Sequence, residues 1–412
     1  MSNEYRNNHY VPEWYQKRFL DPDRKDQVLF YLDQKPDSFS DPRGIIHSKN
    51  TLRRIGTRLC FAENDLYTVN FGQIESTKIE QMFFGKIDSD GRRAVDYFTN
   101  FTHPSADGDA FNNLLLYLST QKLRTPKGLK WVANQVGSAS QNQLLDAMIK
   151  IRQIYCATWT ECIWQIVDAS QSDTKFIISD HPVTVYNRCC GPRSFWCRDG
   201  NDPDIRFNAT HTIFPMSLNK ILILTNLSWV RNPYQKETDY RPNPGLFRGA
   251  MFKFTEIQVL RQLDEQEVRE INFIIKSRSF RYIAAGKEEW LYPEKDISKS
   301  DWHDYGKGYL LMPDPRGVNY TGEILIGHKN GTATGFDAYG RRPWQQEYNK
   351  EDGKHDEFET LYRFKGEFAK LFGPYRRGRA FDMLQLDNKK DNNDYHQYHL
   401  GLAKRTREKH KR

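Results

Sequence analysis

A chain of 412 residues with 38% hydrophobic and 14% aromatic content carries enough apolar mass for a sizeable core and more than one domain, which excludes a wholly disordered polypeptide. There is no run of about 18 apolar residues and no basic segment leading into an apolar one at the start, so the expectation is a cytoplasmic protein without a membrane span. The net charge of +8 is local: residues 361–412 hold 14 Lys/Arg against 6 Asp/Glu, while residues 1–360 balance at 47 against 47.

The chain opens on Asn8-His9-Tyr10-Val11-Pro12-Glu13-Trp14-Tyr15-Gln16-Lys17-Arg18-Phe19, a segment too aromatic to be a loose tail. Pro12 holds Val11 extended, and Trp14, Tyr15, Phe19 and Leu20 recur at helical spacing, so a short helix is expected from Pro12 or Glu13. Residues 27–32 read as a strand, and the region from Leu66 to Val69 is strand-like. From Ile74 the period changes, and Ile79, Phe83, Ile87, Val95 and Phe98 suggest a helix. A second helix carries Phe111, Leu114, Leu115 and Leu118 and stops near Arg124-Thr125-Pro126, where the proline disfavours helical backbone at Thr125. Leu144, Met148, Ile151, Tyr155, Trp159 and Cys162 form the stripe of a third and longest helix.

After residue 172 the texture becomes β. Residues 175–179 read as a strand that Val183–Tyr186 continues beyond a kink, and residues 212–215 and 221–224 pair around Met216-Ser217-Leu218-Asn219. Asp264, with Glu267 three residues on, caps a helix through Val268, Ile271 and Ile275 that ends near Arg281-Tyr282-Ile283. Beyond it, Asn330-Gly331 between apolar runs predicts a hairpin. The aromatic stripe Phe358, Leu361, Tyr362, Phe364, Phe368, Leu371 and Phe372 predicts a helix packed on its own domain, with nucleic-acid contact by its interleaved basic residues as the other reading. The fold class expected is α+β, with a helical middle section, short mixed or antiparallel strands, and an appended α+β C-terminal module. The divisions are a core over 5–295, the module over 296–400 and a basic tail over 401–412.

NHYVPEWYQKRF, QKLRTP, FIISDHPV, TIFPMS and VREINFIIKSRSFRYIAA, in this order, resemble successive motifs of the domain-of-unknown-function 4238 family, across about residues 5–290. The resemblance identifies relatives and supplies no mechanism. Where members commonly have Asn between the Asp and Pro of the SD-x-P motif, this chain has His181.

The chemistry these landmarks suggest is metal-assisted hydrolysis of a phosphodiester, with nucleic acid as the substrate. That reaction needs acids for a divalent cation, a base to orient water and a cation to clamp phosphate. Asp180 and Glu80 are the candidate ligands of Mg2+ or Mn2+, His9 the base with His181 as its alternative, and Arg124 the clamp, with Gln121 one helical turn before it. Each has a plainer reading: Asp180 as a turn or cap residue, Arg124 as a helix C-terminal cation, Glu80 as a solvated acid, His9 as a packing histidine. Arg376, Arg377, Arg379 and the run from Lys404 to Arg412 are candidate phosphate contacts, or a solvated tail. The non-catalytic alternative is a nucleic-acid or protein-binding module whose polar motifs fasten the fold.

Other chemistries find less support. Six irregularly spaced cysteines suit a reducing compartment rather than a disulfide framework. His181, Cys189, Cys190, Cys197 and His211 lack the close-pair spacing of a zinc site. His396 and His399 lack the Glu of a metalloprotease helix, and nucleophile-elbow, P-loop and paired-glycine dinucleotide motifs are absent.

Overall fold

A computed structural model describes residues 7–41, 43, 46–64, 85–101, 107–137, 141–241, 257–297, 301–307, 309–318, 324–337, 341–346, 348, 354–372 and 408. The sites expected at Glu80, Arg376, Arg377 and Arg379, the strand at Leu66–Val69, the helix start at Ile79 and Phe83, and nearly all of the basic tail lie outside them. The described strands are β1 (Asn7–His9), β2 (Val28–Asp33), β3 (Ser38–Ser40), β4 (Ile46–Ser48), β5 (Leu52–Gly56), β6 (Ala62–Asn64), β7 (Cys162–Asp168), β8 (Ile178–Ser179), β9 (Thr184–Tyr186), β10 (His211–Pro215), β11 (Lys220–Asn226), β12 (Gln258–Gln262), β13 (Tyr282–Ala285), β14 (Ile324–Gly327) and β15 (Ala333–Phe336). The helices are α1 (Glu13–Gln16), α2 (Lys86–Thr99), α3 (Gly108–Arg124), α4 (Pro126–Val136), α5 (Gln141–Thr160), α6 (Leu227–Arg231), α7 (Glu265–Arg278), α8 (Asp304–Lys307) and α9 (Lys354–Phe372). This is an α+β fold.

Two sheets carry the core. One has the order β12-β7-β11-β10-β9, antiparallel except for the parallel β12–β7 pair, and the other is antiparallel in the order β5-β2-β13-β8. β7 lies inside the first sheet and is buried along nearly its whole length, which explains its continuous apolar run. Trp164 on β7 meets Phe98 of α2 and Phe111 of α3 at ring-centroid separations of 5.7 and 5.0 Å.

The opening segment is docked, as its composition suggests. Pro12 caps α1, a 3-10 turn continues it to Phe19, and Tyr15 and Phe19 are fully buried, each worth about 1.5–3 kcal/mol of apolar burial. Tyr15 stacks on Phe214 of β10 at 5.3 Å and its hydroxyl donates to the Pro215 carbonyl at 2.6 Å. Gln16 Nε2 donates to Val11 and Cys60 carbonyls at 2.8 and 3.1 Å, closing the strand-to-helix entry.

The structure departs from the sequence reading in three places, each for a physical reason. The third helix ends at Thr160, and Cys162 opens β7, so the β texture begins ten residues before it was expected. As expected, α3 ends at Arg124 with Thr125 extended; Pro126 then opens α4 at its first position, where its missing N–H costs nothing, and the Thr125 hydroxyl accepts from Gly128 N–H. α7, with the expected Asp264/Glu267 capping box, stops at Arg278, because Tyr282–Ala285 pairs between β2 and β8. Finally, β8 and β9 are not one kinked strand: β8 belongs to the four-stranded sheet and β9 to the five-stranded one, and Asp180-His181-Pro182 carries the chain between them.

The hairpin β14–β15 turns at Asn330-Gly331, with Gly331 at a φ of +81°, a conformation glycine adopts at no steric cost. α9 buries Leu361, Phe364 and Phe368 in one cluster with Ile163, Trp229, Val230 and Met312, so its aromatic stripe packs on the same body as the sheet. Among the described residues, no helix is long and apolar enough to cross a membrane.

Candidate functional site

The chain crossing at Asp180-His181-Pro182 meets the α3–α4 junction, and two different kinds of polar assembly result. One fastens backbone. Asp180 is 1% exposed and its carboxylate accepts from Phe280 N–H at 2.8 Å, Arg281 N–H at 2.6 Å and Tyr282 N–H at 2.7 Å. Burial raises its pKa, and the three backbone donors oppose that rise. Both oxygens are thus committed to the turn that leads into β13, and the donor set is not that of an open cation site.

Gln121 and Arg124 belong to the same kind of assembly. Gln121 Nε2 donates to the Tyr10 carbonyl at 2.9 Å, and its Oε1 accepts from Arg124 Nε at 2.7 Å and from a terminal guanidinium nitrogen. Arg124 also pairs with Asp88 at 2.8 Å, and its guanidinium lies 5.8 Å from the Tyr117 ring centroid, with the side chain buried. His9 is half-buried on β1, paired with β6, with Nε2 3.0 Å from the Arg58 carbonyl. The helix-lying residues therefore tie α3 to the opening segment and to α2.

The second assembly faces a cavity. Lys122 comes from the last turn of α3, Lys127 from the first turn of α4, His181 from the inter-sheet crossing and Asp202 from the loop before β10. Asp202 Oδ2 lies 2.6 Å from Lys122 Nζ and 2.9 Å from His181 Nε2, and Oδ1 lies 2.5 Å from Lys127 Nζ. Lys122 Nζ also donates to the Val183 carbonyl at 3.2 Å, and Lys127 Nζ to the Arg278 carbonyl at 2.8 Å. Gly128 makes this approach possible: a Cβ there would lie 2.2 Å from the Lys122 carbonyl oxygen and 2.6 Å from that of Leu123.

Hydrogen-bond logic assigns the His181 tautomer. An ionised carboxylate only accepts, so Nε2 carries the proton toward Asp202, and Nδ1, 2.6 Å from Thr125 Oγ1, accepts the threonine hydroxyl hydrogen. The Thr125 oxygen in turn accepts from Gly128 N–H at 3.2 Å. With Nε2 a donor, the Lys122 ammonium 3.2 Å away bonds only Asp202 and Val183 among its near partners, which leaves one N–H for another acceptor. Although Thr125, His181 and Asp202 form a hydroxyl–imidazole–carboxylate chain, Thr125 is fully buried and forms no part of the cavity wall.

The electrostatics follow from burial. Desolvation, then the neighbouring Lys122 charge, pushes His181 down to about 3, so the imidazole is neutral. Burial lowers the Lys122 pKa while Asp202 opposes the shift. For Asp202 burial works against ionisation, but Lys122, Lys127 and His181 outweigh it and hold the carboxyl well below its ordinary range.

The cavity has a volume of about 470 Å³, within the usual range for small-ligand sites. Its charged lining consists of Lys122, Lys127 and Arg206 against Asp202 and Asp204, three cations to two carboxylates, with Arg206 engaged by Asp204 at 2.5 Å. The excess positive charge therefore sits at the lysine pair.

Of the residues singled out from sequence, Gln121, Arg124 and Asp180 frame this centre without lining the cavity, and His181 alone lines it. Lys122, Lys127 and Asp202 were missed. A signal for Lys122 was present: it stands four residues after Leu118, on the stripe of Phe111, Leu114 and Leu118, where a lysine interrupts an apolar face. Asp202 follows a turn-rich stretch and has no periodic signal. The cysteine–histidine group that lacked zinc spacing is otherwise engaged: Arg278 donates to Cys197 Sγ at 3.0 Å, His211 Nδ1 lies 3.0 Å from Thr225 Oγ1, and all six cysteines are free thiols. Among the described residues, no group of three His, Cys, Asp or Glu is placed to hold a metal ion.

Residues 132–289 match the model of a family described as Protein of unknown function (DUF4238). The matched stretch holds His181, Asp202, β7 to β13 and α7, and contains three of the five motifs quoted above, while the opening motif and QKLRTP lie before it. No curated protein and no solved structure matches the chain.

Proposed function

We propose that the protein binds nucleic acid, seating a backbone phosphate against Lys122 and Lys127, while Gln121, Arg124 and Asp180 fasten the fold behind that site. The observation that carries this reading is the sharing of one buried carboxylate, Asp202, by two buried lysines at the wall of a cavity. A buried cation without a full counter-charge is costly, and a phosphate oxygen supplies the missing partner. Because the site is desolvated, that attraction is stronger than at an exposed lysine. Arg376, Arg377 and Arg379, with the basic residues of the 401–412 tail, would add salt-sensitive contacts along the strand.

The test is anisotropy of a labelled oligonucleotide across a salt series with three proteins: wild type, Lys122→Met and Asp202→Asn. Lys122→Met should weaken binding and flatten the salt slope, whereas Asp202→Asn, which removes the competing carboxylate, should tighten it. Unchanged affinity in both folded variants would refute the reading.

Hydrolysis of the bound phosphodiester with Mg2+ or Mn2+ is a second reading, favoured by one observation: the neutral His181 imidazole lines the cavity, and exchange of its Nδ1 bond to Thr125 for one to water would free the lone pair a general base requires. Incubating the same oligonucleotides with either cation or with EDTA separates the two. Cleavage that needs the cation and disappears in His181→Gln supports hydrolysis; intact strands leave a binding protein.

A further inference from the structure

The lysine centre forms only one part of the cavity, and the mouth has a different character. Trp196 and Tyr240 both line it, and they stay 45% and 53% exposed. Large aromatic side chains left in water beside a cavity are unusual unless something covers them. Here they are held in place rather than loose. Phe207, buried at 3%, lies between them with centroid separations of 5.2 Å to each ring, edge-on to Trp196 and tilted to Tyr240. Arg206 stands 5.0 Å from the Tyr240 centroid, a cation over a ring that is open to solvent.

We infer that this rim stacks an unpaired nucleobase, so that the protein selects single-stranded nucleic acid. The inference rests on the phosphate reading of Lys122 and Lys127 and adds the ligand's second half. A cationic floor inside a 470 Å³ cavity and aromatic faces at its mouth match the two parts of one nucleotide unit: a charged phosphate and a flat, polarisable base. A duplex keeps its bases paired and stacked on one another, and presents only phosphates to such a site. Inorganic phosphate satisfies the floor and leaves the rim bare. Arg206, already engaged by Asp204, supports Tyr240 from one side and keeps its charge beside the base.

The experiment compares four probes of equal length or charge type: a single-stranded oligothymidylate, its duplex with oligoadenylate, an abasic oligomer with the same phosphates, and inorganic phosphate as competitor. Wild-type protein should bind the single strand at least about tenfold more tightly than the abasic oligomer or the duplex. Trp196→Ala and Tyr240→Ala should each remove most of that preference without changing the affinity for the abasic oligomer. Trp196→Phe, which restores a ring, should recover part of it. Because both residues are half exposed, these variants should fold. Equal binding of abasic and base-bearing strands would overturn the stacking role and leave the phosphate site standing. Failure of every strand to bind would overturn the phosphate reading and this one with it.

Discussion

Replacing Asp180 by Ala separates a fastening role from a functional one. The substitution leaves three backbone N–H groups, those of Phe280, Arg281 and Tyr282, without their acceptor at a partly buried turn. Each group stripped of its partner costs about 1 kcal/mol at the low end of the usual range. The gross strength of three charge-assisted bonds is larger, but removing the carboxylate also removes the cost of burying it, which is why burial leads the causes of its raised pKa. The net expectation is a loss of about 3 kcal/mol, and somewhat less for Asp180→Asn, whose amide oxygen keeps part of the acceptance. Urea unfolding should show a lower midpoint with an unchanged slope. Oligonucleotide binding, measured well below the unfolding transition, should be close to wild type. A stability loss below about 1 kcal/mol together with lost binding or cleavage would refute the fastening argument and return Asp180 to the functional site.

Gly128→Ala should destabilise by about 2–4 kcal/mol and weaken oligonucleotide binding in parallel, because its Cβ collides with backbone oxygens that cannot move without displacing Lys122; thermal unfolding and anisotropy read both effects. Oligonucleotide affinity should fall as pH rises through the lowered pKa of Lys122, since the deprotonated amine no longer attracts phosphate, and Lys122→Met should flatten that part of the pH profile. Acid stability should depend on Glu265: burial opposes its ionisation, but the Ser172 and Thr174 hydroxyls and Thr174 N–H bring the carboxyl down to about 2. Its folded pKa is below the unfolded one, so the stabilisation is present above about pH 4.5 and is lost as pH falls toward 2. Discounted for the partial exposure of the side chain, it amounts to about 1–2 kcal/mol, and melting temperature against pH should decline less in Glu265→Gln. Deleting residues 401–412 should reduce the salt slope of strand binding without altering the preference for base-bearing over abasic oligomers.

Local pattern determined much of this protein. The 3.6-residue stripes located α3, α5 and α9, the Asp264/Glu267 pair located the start of α7, Asn330-Gly331 located a hairpin, and three of the five ordered motifs fall in the stretch that matches the family model. These signals are legible because each acts within a few residues: a cap satisfies nearby N–H groups, and a stripe is a property of one helix. Two of the motifs, QKLRTP and SDHP, meet in space at the candidate site. Which of their residues face the cavity was a tertiary decision. Asp180 and His181 are adjacent in sequence, yet one is turned into the backbone of the β13 turn and the other toward Asp202, because the chain changes sheets between β8 and β9. The excess cation arises because two lysines on successive helices converge on one aspartate some 75 residues further on. No local period encodes that meeting; long-range packing of α3, α4 and the loop before β10 creates it, and with it the desolvation that gives the lysines their chemistry.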